Sequence, residues 1–158
     1  MRKKIVSMIV AASLATGIFT MFPVGQVRAA EEIITVDGSA LLEDAEVSIG
    51  EMEVQTKGQY LQTGSSKIVR AGTGKIAVGG TTIAQRTVST IQVSVMVERL
   101  VNGNWLSYTS WSASKTNTYS VSTSKTLTVP RGYYYRVRSI HNANSDRGHS
   151  NTGALYVE

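Results

Sequence analysis

The sequence predicts an all-β fold, a single antiparallel β-sandwich, and three observations predict it. Apolar residues recur with a period of two from Tyr60 onward, turn residues punctuate these runs at short intervals, and serine and threonine fill the alternate positions. Ser66 to Ala71 and Lys75 to Gln85 are short strand candidates, broken by Gly72, Gly74, Gly79 and Gly80. Ile91, Val93, Val95 and Val97 then alternate with Gln92, Ser94, Met96 and Glu98, pointing one row into a core. Asn102-Gly103 accepts the positive φ angles of a tight hairpin, and Trp105 to Ser112 runs back as the partner. Tyr119, Val121, Leu127 and Val129 keep the same phase. After the turn Pro130-Arg131-Gly132, the strand Tyr133 to Ile140 places Tyr135 and Val137 opposite Arg136 and Arg138. Asn142 to Gly153 reads as a polar loop and Ala154 to Val157 as a closing strand.

Ahead of this domain, Met1 to Lys4 is a basic cap and Ile5 to Phe22 an apolar run. Val27-Arg28-Ala29 offers small residues at signal-peptidase spacing. The expected organisation is a signal peptide over residues 1–29, cut after Ala29 or Ala30, an acidic and mostly disordered segment over 30–58, and the sandwich over 59–158. The expected location is secreted, extracellular or cell-wall associated, with no stable membrane anchor once the signal is cleaved.

Charge sharpens the division. The formal net charge of +5 falls to +1 with the signal removed, since Arg2, Lys3, Lys4 and Arg28 leave and no acid does. Residues 30–56 hold eight acids and no base, whereas residues 57–158 hold twelve bases and three acids. Such asymmetry suggests a segment and a body with different partners.

Little in the chain suggests catalysis. There is no cysteine, which excludes a thiolate nucleophile or zinc site. Gly72-Thr73-Gly74-Lys75 lacks the upstream glycine and following hydroxyl of a phosphate loop, because Val69 and Ile76 stand there. Beyond Lys57 the only acids are Glu98, Asp146 and Glu158, too few for a paired-carboxylate hydrolase. His141, Asp146 and His149 form the one trio with hydrolase potential, but no regular spacing fixes it. The sequence therefore reads as a non-enzyme with no cofactor and no metal.

The basic residues carry the functional expectation. Arg136 and Arg138 share a strand face, with Arg131 and Arg147 in turns near its ends. Such a patch suits an anionic cell-wall polymer or glycan, and no specific nucleic acid is expected. Trp105 and Trp111 complete the candidate face if the hairpin turn has two residues. A three-residue loop shifts the register by one and turns both rings into the core. The leading reading is a secreted protein that associates with envelope polymers through Trp105, Trp111, Arg131, Arg136, Arg138 and Arg147. The alternatives are a secreted effector or antimicrobial protein acting on membranes or competing cells, and a hydrolase built on His141, Asp146 and His149.

Val95 to Trp105, with Leu127-x-Val129-Pro-Arg-Gly-Tyr133-x-Tyr135-x-Val137-Arg138-Ser139, resembles the later strands of fibronectin type III and immunoglobulin-like sandwiches. That resemblance implies a tyrosine corner at Tyr133. The chain is also similar to small secreted proteins of Gram-positive bacteria in a family of unknown function. This second likeness rests on Asp37-Gly38-Ser39-x-Leu41, Val97-Glu98-Arg99-Leu100-x-Asn102-Gly103-x-Trp105, and Gly132-Tyr133-Tyr134-Tyr135-Arg136-Val137-Arg138-Ser139-x-His141. It implies export and a β-fold, with no chemistry to transfer.

Overall fold

The computed structural model describes residues 33–53 and 58–158; the expected signal peptide lies outside them. Nine strands follow in chain order: β1 (Thr35–Val36), β2 (Ser39–Leu42), β3 (Val47–Glu51), β4 (Leu61–Arg70), β5 (Lys75–Val101), β6 (Asn104–Thr128), β7 (Tyr133–Ala143), β8 (Asp146–Asn151) and β9 (Ala154–Val157). The all-β expectation holds. In place of two separate sheets, one hydrogen-bonded sheet runs β1-β2-β9-β7-β5-β4-β3, with β6 on β5 and β8 on β7.

The reason is that β5 and β6 do not end at the edge of a layer. They form one long hairpin that bends halfway, where the register jumps between Ile83 and Val88 and Asn117 takes a φ of 51°. The extra residues on β5 kink the ribbon as a bulge does. The first half of β5 pairs with β4 and its second half with β7, so the sheet curls into a half-barrel around its own apolar side. Ile68, Ile76, Val78, Ile91, Val93, Val95, Val97, Val121, Val137 and Leu155 fill that side. Close approach of the walls depends on small residues. A Cβ at Gly80 would press on Ser139, Val93 and Val95, and one at Gly64 would enter the ring of His141.

The acidic segment departs from expectation. Residues 33–53 contribute β1 to β3 and are not a disordered lead. Asp37 and Gly38 make a two-residue turn with φ of 48° and 73°, closing Val36 onto Ser39. β2 then pairs in parallel with β9, and β3 pairs with β4 along its whole length. The segment is too poor in apolar residues to form a core of its own; backbone ladders to the body order it. The polar stretch 142–153 is likewise mostly strand, since β8 pairs with β7 from Ala143–Asp146 to Arg138–Asn151. The tyrosine corner also moves: it is Tyr135, buried on the core side, whose hydroxyl donates to the carbonyl of Pro130 at 2.7 Å.

Candidate functional site

The hairpin turn has the two residues Asn102 and Gly103, with φ of 50° and 78°, and pairs Leu100 with Trp105. A bulge follows at once. Glu98 pairs with Ser107 but Val97 with Thr109, so Tyr108 is the extra residue. Beyond it the register has slipped by one, and Trp111 stands opposite Val95. The two tryptophans therefore lie on opposite faces of the sheet, an outcome that neither uniform register offers. Trp111 packs against the core, its Nε1–H donating to Thr123 Oγ1 at 3.0 Å, with the Lys125 ammonium 4.7 Å from the ring centre. Trp105 stays on the outer face.

There Trp105 carries the Arg136 guanidinium, whose Cζ lies 4.2 Å from the ring centre. Arg136 is only 2% exposed. Its Nε donates to Glu98 at 2.6 Å, Nη1 to the Asp37 carbonyl and to Ser39 Oγ at 3.2 and 3.0 Å, and Nη2 to the Asp37 carboxylate at 3.1 Å. The indole Nε1–H of Trp105 donates to the Val36 carbonyl at 3.2 Å. Every face of this guanidinium is engaged, so Arg136 clamps the β1–β2 hairpin onto the sheet. Neither it nor Trp105 forms an open binding surface with the other arginines.

The remaining candidates divide. Arg131 is exposed in the β6–β7 connection, beside Gly74, while Arg147 pairs across from Asn142 near the far end of β7. The two are at opposite ends. Arg138 is half-exposed on the outer face, with Nη1 3.6 Å from Glu98 and Nε donating to Asn151 at 3.3 Å. On β8, Arg147, His149 and Asn151 occupy the outward positions beside Asn142, Ile140 and Arg138. Arg138, His149 and Arg147 thus form one oblique line of cationic or cation-capable groups across two neighbouring strands. His149 was absent from the basic site expected from the sequence; reading 142–153 as a loop hid the strand parity that groups it with the two arginines.

The hydrolase trio does not converge. His149 faces outward, whereas His141 is fully buried on the core side. Asp146 accepts hydrogen bonds from the backbone N–H groups of Tyr60 and Leu61 at 2.6 and 3.0 Å. These donors hold its carboxyl below the usual carboxylate range. Asp146 is a latch on the segment entering β4. Its replacement by alanine is expected to speed amide hydrogen exchange at Tyr60 and Leu61 while leaving the centre of β5 protected. Equal exchange at those two amides would rule the latch out.

His141 sits in a hydroxyl network. Thr82 Oγ1 donates to the Gln92 carbonyl at 3.0 Å and lies 2.8 Å from His141 Nδ1. Because a carbonyl can only accept, Thr82 has spent its proton there and accepts from Nδ1–H. Nε2 is then the acceptor for the Ser150 hydroxyl at 2.8 Å. Ser150 Oγ and Ser139 Oγ each lie 2.7 Å from Ser66 Oγ. The order resembles a serine–histidine relay, yet Ser150 is 2% exposed and lies within the packed core. Its role here is to satisfy buried polar groups.

Among the described residues there is no group of three or more His, Cys, Asp or Glu side chains placed to hold a metal ion, and no helix is long and apolar enough to cross a membrane. No curated protein matches the chain. Residues 27–155 match the model of a family of unknown function, and with so much of the chain covered the protein belongs to that family, DUF6147.

Proposed function

We propose that this is a secreted, non-enzymatic β-domain that associates with anionic polymers of the cell envelope through the outer face of β7 and β8. The observation that carries the reading is the line Arg138–His149–Arg147 on a solvated sheet face. Diagonal outward positions on neighbouring antiparallel strands, such as Arg138 and His149, stand about 7 Å apart, and alternate positions along one strand, such as His149 and Arg147, about 6.6 Å. These groups therefore contact successive charges of an extended polyanion. Arg136 contributes indirectly, since its pairing with Glu98 and Asp37 limits how much of the acidic charge is left to oppose a ligand. Among the described residues, the acid paired with the line is Glu98, shared between Arg136 and Arg138.

The test is co-sedimentation with purified Gram-positive cell walls. The mature protein should be retained at low ionic strength and released as salt screens the contacts. The double variant Arg138→Gln/Arg147→Gln should bind at least about tenfold more weakly, the equivalent of roughly 1.4 kcal/mol. Retention insensitive to both salt and the double substitution would overturn the reading.

A further inference from the structure

We infer that the outer face beside this basic line is built for a sugar unit bearing a phosphoryl group, which deepens the polyanion reading and rests on it. The register lays out a grid of eight side chains on four strands. One row runs Ser112, Ser94, Ile140, His149; the next runs Ser110, Met96, Arg138, Asn151. These side chains line a shallow cavity of about 310 Å³, at the small end of the range for ligand sites and so sized for one ring.

The chemistry of the grid is graded from one side to the other. Ser94, Ser110 and Ser112 form a hydroxyl wall, in which Ser94 Oγ and Ser112 Oγ lie 2.8 Å apart. Met96 and Ile140 meet diagonally in the middle as an apolar floor, and Met96 remains 37% exposed although it is flanked by packed strands. Arg138, His149 and Asn151 form the opposite wall. Arg138 is held in place through Nη1 to Glu98 and Nε to Asn151, which leaves Nη2 without a protein partner among the described residues. An anion alone would use the last wall and leave the other two idle. A sugar ring uses all three: its C–H face covers the floor, its hydroxyls meet the serines, and a phosphoryl substituent reaches Arg138 and His149.

The experiment is a calorimetric or NMR titration of the full mature chain with glucose 6-phosphate, inorganic phosphate and glucose in parallel. Glucose 6-phosphate should bind at least about tenfold more tightly than either of the others. Ile140→Ser, or Met96→Ser should the first variant fold poorly, should bring its affinity down to that of inorganic phosphate. Arg138→Gln should weaken both phosphorylated probes. Glucose 6-phosphate binding no tighter than phosphate overturns the inference; cell-wall retention that still depends on Arg138 and Arg147 would then leave the polyanion reading standing. Loss of that retention together with no binding of any probe sinks both.

Discussion

Replacing Arg136 with alanine is expected to cost the domain about 3–5 kcal/mol, the range for breaking one side of a buried ion pair. The side chain is almost fully enclosed, and Glu98, its partner at 2.6 Å, is 7% exposed. Truncation leaves that carboxylate facing only Arg138, at 3.6 Å. It also strips donors from the Asp37 carbonyl and Ser39 Oγ and takes the cation off Trp105. For a domain of this size the loss corresponds to a melting temperature lower by roughly 10 °C or more. Lysine is not a conservative replacement, because an ammonium has no planar fork with which to serve Glu98, Ser39 and Asp37 together. Removing both charges, as in Arg136→Met/Glu98→Leu, should cost much less than the two single changes combined, since neither variant charge is then left buried alone. Thermal melts of the parent, Arg136→Met, Glu98→Leu and the double variant measure this. Hydrogen exchange adds a local readout: in the alanine variant the amides of residues 35–42 should lose protection before those of β5. A melt within about 1 kcal/mol of the parent would show that the hairpin does not depend on the clamp.

How much of this is legible in the sequence differs from element to element. The inward row Ile91, Val93, Val95, Val97 and the outward placement of Arg136 and Arg138 follow from alternation alone, and both hold. Asn102-Gly103 marks the hairpin turn, but those residues alone leave its length open between two and three; the structure has two. The bulge at Tyr108 is not legible, because a two-residue turn sets register only as far as the ladder stays regular. Tyr108 leaves the ladder where its ring meets Tyr135 edge-on, at 5.7 Å between centres. That contact depends on a strand 25 residues downstream, outside any local pattern. The order of residues 33–53 was half visible: Asp37-Gly38 is the same kind of turn signal as Asn102-Gly103, but it lay in a segment whose composition argued for disorder. What holds it are backbone ladders to β9 and β4 and, at the Asp37 turn, a guanidinium 99 residues away. His141 was within reach, too. Carrying the alternation of Tyr135 and Val137 through Ser139 and one residue past the predicted strand end at Ile140 puts Ser139 and His141 on the core side, where they lie.

That burial is expected to make stability fall with acid. Burial, with a smaller contribution from the field of His149, lowers the pKa of His141 from 6.5 to about 4. The groups packed on its ring are Gly64 on β4, Thr82 on β5 and Ser150 on β8, none of them an acid that would favour the imidazolium. A depressed folded-state value means that the unfolded chain takes up a proton first as pH drops. The stabilisation is complete above about 6.5 and is lost progressively down to about 4. Over that window the linkage amounts to about 3 kcal/mol, at 1.36 kcal/mol per pKa unit. Urea unfolding at pH 7, 5.5 and 4 should show the midpoint moving to lower urea at each step. Asp146, with its lowered carboxyl pKa, adds its loss only at still lower pH, so the two contributions separate. His141→Asn keeps an acceptor or donor toward Thr82 but cannot titrate. This variant should start out less stable at pH 7, because Ser150 loses its acceptor, and then stay nearly flat down to pH 4. His149→Asn, altered on the solvated face, should retain most of the parental slope. If His141→Asn loses stability between pH 6.5 and 4 as steeply as the parent, the buried imidazole is not the group that senses acid.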